Sequence, residues 1–136
     1  MRQGELHLQL ELLAKQFREN PSDETGDRIL EAMAKIIRNN EKILIDGIPS
    51  PVNPTIIVPS GYYGKDGRFY FHIFSSRQSF DASSASNPML THMEGLMKLM
   101  EDNPQVGGFS LNQQVGSGTI VLSREDIEEV LRHEGS

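Results

Sequence analysis

A chain of 136 residues is the size of one domain, here 1–136, and can bury one sizeable core. Its hydrophobic fraction of 37% suits such a core, and no apolar run approaches the roughly 20 residues of a spanning helix, so no membrane association is expected. The net charge of −6 comes from interleaved acids and bases without a basic stripe, which argues against nucleic acid as a partner.

The opening Met1-Arg2-Gln3-Gly4-Glu5 is charged and has no apolar h-region, so a cytoplasmic location is expected. Leu6, Leu10, Leu13 and Phe17 then share one helical face and predict a helix over residues 3–19, with Leu8 and Leu12 widening the stripe. Asn20-Pro21-Ser22 breaks it. Ser22 or Asp23 can cap a second helix that buries Ile29, Met33, Ile36 and Ile37 and stops at Asn39-Asn40. Lys42 to Asp46 reads as a strand, Gly47 to Pro54 as a loop with three prolines, and Thr55 to Val58 as a second strand.

Tyr62 to Phe74 contains Lys65-Asp66-Gly67, a turn signal between strands. The returning strand carries Phe69, Phe71 and Ile73 on one face and Tyr70, His72 and Phe74 on the other, so it should be central and covered on both sides. Asp81 to Asn87 is small and polar and reads as a connection. From Pro88 to Met100 the spacing of Met89, Met93, Leu96, Met97 and Met100 predicts a helix, ended by Asn103-Pro104. Phe109 to Asn112 and Ile120 to Leu122 read as strands, joined by a glycine-containing loop over Gln113 to Gly118. Ser123 with Asp126 predicts a capped closing helix that buries Ile127, Val130 and Leu131.

The absence of cysteine removes disulfides, thiolate metal sites and a cysteine nucleophile. The four histidines lack metal-ligand spacing, and no cofactor is expected. No serine lies in a Gly-x-Ser-x-Gly element. Gly61-Tyr62-Tyr63-Gly64-Lys65 and Gly107-Gly108 fail the phosphate- and dinucleotide-loop patterns and read as turns. The methionine stripe reads as a core face. The acidic closing helix reads as a solvated face, with an acidic docking surface as the alternative. His72, on the central strand, reads as a packed imidazole.

Ser75-Ser76-Arg77 stands where that strand leaves the sheet, and ligands of open sheets gather at strand ends. Arg77 could hold a carboxylate or phosphate bidentately, while Ser76 could equally cap a short helix from Arg77 to Phe80. If this strand and the one ending at Asn112 are parallel neighbours joined by a crossover helix, Ser76, Arg77 and Asn112 converge at one sheet end.

The ordered elements Phe74-Ser75-Ser76-Arg77, Asn103-Pro104, Gly108-Phe109-Ser110-Leu111-Asn112 and Ser123-Arg124-Glu125-Asp126-Ile127 resemble the SseB N-terminal domain family of bacteria. The resemblance takes in the two N-terminal helices and so spans nearly the whole chain. It departs at Ser75, where the family has threonine, at Gln113, where a proline often follows the asparagine, and in the long Gly47–Pro54 segment. It implies a compact α+β domain and no catalytic residues.

The expected fold is therefore α+β, a single domain with a mixed sheet of about five strands, two N-terminal helices, one crossover helix and a C-terminal helix. The expected function is a non-enzymatic protein-interaction or regulatory domain. The alternative is a small anionic-ligand binder, or an enzyme, with a strand-end site around Ser76, Arg77 and Asn112 with His72 nearby. The partner would be a protein or a small anionic ligand.

Overall fold

The computed structural model describes residues 4–114 and 119–134. Two helices, α1 (Glu5–Glu19) and α2 (Asp23–Arg38), precede the strands β1 (Lys42–Pro49), β2 (Ile57–Pro59), β3 (Gly61–Tyr63) and β4 (Phe69–Phe74). The short helix α3 (Arg77–Asp81), the strand β5 (Pro88–His92) and the helix α4 (Met93–Asp102) lead to β6 (Val106–Leu111), β7 (Ile120–Ser123) and the closing helix α5 (Arg124–Glu134). The fold is a single small α+β domain around a mixed sheet of seven strands, two more than expected.

β4 lies at the centre, parallel to β6 and antiparallel to β1, and β7 runs antiparallel beyond β6. Leu44 and Ile45 pair with β4 on one side and with Leu90 and Met89 of β5 on the other, so β5 forms the outer edge. β1 and β4 part at Asp46 and His72. Into that fork fits Ser60, whose N–H bonds Asp46 O at 2.8 Å and whose carbonyl accepts from His72 N–H at 2.9 Å. β2 and β3 are the two limbs leaving this apex, one along β1 and one along β4.

Period-two alternation divides the sheet. Ile43, Ile45, Phe71, Ile73, Phe109, Leu111, Ile120 and Leu122 face one side, where they pack with Leu6, Leu10 and Leu13 of α1, Ile29, Met33 and Ile36 of α2, Met93, Leu96 and Met100 of α4, and Ile127 of α5. Four helices thus share one face. The other face carries Tyr70, His72, Phe74 and Ser110, and α3 covers part of it by setting Phe80 edge-on against Phe74 at 5.1 Å.

Local chemistry explains most boundaries. Ser22 caps α2 by accepting from Thr25 N–H, and Ser123 caps α5 by accepting from Asp126 N–H. The β3–β4 turn uses Gly67 at φ 79°, and Asp66 accepts from Arg68 N–H and from the Tyr70 hydroxyl. Gly108 has φ 142°, and a side chain there would meet Leu122 O at 2.0 Å, so the β6–β7 contact requires glycine.

Several expectations need correction, among them the α1 stripe, because Leu8 and Leu12 are exposed, and the start of β6, which is Val106 rather than Phe109. β1 continues to Pro49 inside the segment expected to be loop, because β2 pairs Ile57 with Pro49. The second strand begins at Ile57 rather than Thr55. Pro88 to His92 is a strand and not the first turn of a helix, since β1 supplies backbone partners along its length; Met89 therefore leaves the helical stripe. The crossover from β4 to β6 contains α3, β5 and α4 rather than one helix. The loop expected over Gln113–Gly118 falls in part outside the described residues.

Candidate functional site

β4 and β6 are parallel, so their carboxyl ends share one end of the sheet, where ligands of open sheets collect. Asn112 extends that end. Its backbone adopts φ 51°, and its N–H donates to Ile73 O at 2.9 Å. Its side-chain amide then bonds Ser75 twice: Ser75 N–H donates to Oδ1 at 2.9 Å, and Nδ2 donates to Ser75 Oγ at 2.8 Å.

The space beyond Ser75 is occupied by the chain itself. α1 runs across the strand ends, from His7 Nε2 at Lys42 O of β1 to the Arg18 guanidinium, which donates to Asn112 O. Between them, Glu11 enters with 7% of its surface exposed. One oxygen, Oε1, accepts from Ser75 Oγ at 2.8 Å, from Ser76 Oγ at 2.6 Å and from Ser79 Oγ. Ser76 Oγ also accepts from Ser79 N–H and so caps α3. Burial pushes the Glu11 carboxyl up. The hydroxyls of Ser76, Ser79 and Ser75, with Lys15 one turn along α1, outweigh burial and hold it below its ordinary value.

The sheet end therefore has the donors of an anion site, and Glu11 is the anion they hold. Of the residues expected there, Ser76 and Asn112 lie at the same end, joined through Ser75. Arg77 turns outward: its Nε donates to Asp81 at 3.0 Å, and its guanidinium lies 5.7 Å from the Phe80 ring centre.

His72 belongs to a different region, on the face that α3 leaves partly open. It stacks against Tyr62 at 5.6 Å, and in the parallel register it lies beside Ser110. Asp46, Ser60 and His72 meet at the fork of β1 and β4. Burial lowers the His72 pKa, against the opposing pull of Asp46, and so favours the uncharged imidazole. Asp, His and Ser thus line up across three strands without the bonds of a catalytic triad. Asp46 is engaged by Ser60 Oγ at 3.0 Å and by Asn87 N–H at 2.9 Å, while His72 Nδ1 and Ser110 Oγ are buried without partners. Ser110 is wholly buried, which removes it from any substrate.

Glu11, Asp46 and Ser60 were not among the residues singled out in the sequence. The one signal for Glu11 is its place at the margin of the Leu6–Leu10–Leu13 stripe, where a carboxylate needs a buried partner. Among the described residues, no three His, Asp or Glu side chains are grouped to hold a metal, and no helix is long and apolar enough to cross a membrane. Comparison with family models, curated proteins and solved structures finds no match.

Proposed function

We propose that this protein is a non-enzymatic protein-interaction or regulatory domain of SseB-like type. The observation that carries this reading is the seating of Glu11 on Ser75, Ser76 and Ser79, which fills the strand-end position where a small ligand would bind. An anion-binding role for the same donors is the weaker reading, because a ligand would have to displace a buried carboxylate with three hydroxyl donors. Apolar groups lie instead on surfaces suited to macromolecules. Leu8 and Leu12 form an outward ridge on α1, and Ile48, Ile57, Met89 and Leu90 stand exposed around the β1–β2 limb and β5.

The experiment is capture from the native cell by chemical cross-linking, with native mass spectrometry of the uncross-linked protein. A defined protein cross-linked at specific residues, with no small molecule retained, is the expected result. An anion retained at one per chain, and lost on Ser76→Ala, would overturn it.

A further inference from the structure

We propose that the groove between α2, β7 and α5 receives an extended basic segment of a partner protein, added as a strand to the outer edge of β7. The proposal rests on the interaction-domain reading and assigns it a surface and a partner chemistry.

The first support is the edge itself. Among the described residues, β7 pairs with β6 alone. The bond from Asn112 N–H to Ile73 O fixes the alternation along β6: Ser110 and Asn112 direct their backbone groups toward β4, and Phe109 and Leu111 direct theirs toward β7. Phe109 and Leu111 are therefore bonded to Leu122 and Ile120. Val121, between them, turns its N–H and C=O off the sheet, and its side chain is exposed on the face opposite the helices. Such an edge is where added strands dock.

The second support is the groove beside it. A cavity of about 310 Å³ opens between α2 and β7, with Phe17, Leu30, Ile120 and Leu122 in its lining. It continues along α5 over Leu30 and Val130, with Asp27 and Asp126 common to both parts.

The third support is charge. Asp23, Asp27 and Glu31 recur at every fourth position of α2, opposite Asp126 and Glu129 of α5. Three of the four arginines of these two helices are committed elsewhere, Arg28 to Glu24 at 2.8 Å, Arg124 to Val106 O at 2.8 Å and Arg38 to Leu131 O, and the fourth, Arg132, lies outside the lining. Among the described residues, His133, beside Glu129, is the one basic side chain in the lining. Apolar walls beneath carboxylates suit lysine or arginine, whose stems lie on the apolar surface while their heads reach the acids. On an added strand alternate residues face opposite ways. Basic residues would enter the groove while apolar ones cover Val121. A second copy of this chain, at net charge −6, and a nucleic acid both carry the wrong sign.

The test is a titration of the isotope-labelled protein, followed by amide NMR, with a capped peptide of ten alternating lysines and valines. A peptide of alternating glutamates and valines is the control. The lysine peptide should shift the amides of Thr119–Ser123 and of α2 around Asp27. Its binding should weaken about tenfold in a folded D27K/E31K variant, and the glutamate peptide should leave the spectrum unchanged. No binding, equal binding of both peptides, or insensitivity to D27K/E31K would overturn the proposal. Shifts confined to β5 or to the Leu8–Leu12 ridge would also overturn the groove but leave the interaction reading standing. That reading fails separately, if cross-linking in the native cell yields no specific protein partner.

Discussion

Asn112 and Ser75 exchange two hydrogen bonds, one in each direction, and this side-chain pair continues the parallel β4–β6 ladder one step past the last strand residues. An asparagine amide carries a donor and an acceptor, as a peptide group does, and asparagine tolerates the left-handed φ of 51° found here.

Asn112→Ala removes both bonds and leaves the Ser75 N–H buried without a partner. It also places a Cβ-only residue in a left-handed conformation. A loss of about 2–4 kcal/mol in unfolding free energy is expected, measured by urea denaturation. Wild-type stability in this variant would show that the ladder ends at Leu111 in energetic terms too.

Glu11→Gln keeps the size of the side chain and removes its charge, with an expected cost of about 1–3 kcal/mol at neutral pH. The pH dependence has a definite sign. Because the folded carboxyl lies below its ordinary value of 4.5, its stabilisation is complete above that value and is lost as pH falls through the lower folded value. Unfolding free energies taken between pH 6 and pH 3 should therefore decline less steeply in Glu11→Gln than in wild type. Parallel curves would remove Glu11 from the balance.

Within α4, Met93 is fully buried, whereas Met97 packs at the margin of the core. Met93→Ala should cost about 2–5 kcal/mol. Met97→Ala, with fewer methylenes removed from contact, should cost about 1 kcal/mol. The order of the two urea midpoints decides the point, and a reversal would mean that the helix is rotated about its axis.

Arg77→Ala should change stability by about 0–1 kcal/mol, because its Asp81 partner and its own side chain are both largely exposed. Ser76→Ala loses the α3 cap and a donor to Glu11, and should cost about 1–3 kcal/mol. Thermal melts of the two variants, run side by side, separate the outward arginine from the inward serine.

Much of this architecture is written locally. The stripes of α1 and α2, the Asp66-Gly67 turn and the Ser123 cap each depend on residues within a few positions of one another. The strand β5 escaped because Met89, Met93 and Met97 keep a four-residue spacing across the strand–helix junction; only the extended backbone of His92, at ψ 143°, separates the two elements. β1 beyond Asp46 escaped because its pairing is supplied by a strand that leaves the fork at Ser60. At the sheet end, the approach of Ser75 to Asn112 follows from a parallel crossover and could be reasoned out. Glu11 could not, since its serines lie 64, 65 and 68 residues along the chain, and no periodicity reports such a distance.

That separation sets a schedule for a chain made from its amino end. At about 5–20 residues per second, Glu11 waits several seconds for its serines, and Arg18 waits longer for Asn112, which lies 94 residues on. Before Ser75 is made, α1 has α2 and the Lys42 end of β1 to rest against, but not the strand-end seat of Glu11. α1 is thus fastened in two stages, at Glu11 once Ser79 is made and at Arg18 only after Asn112. A nascent chain halted before Ser75 would carry α1 without its strand-end seat, open to chaperones and proteases in place of a finished domain.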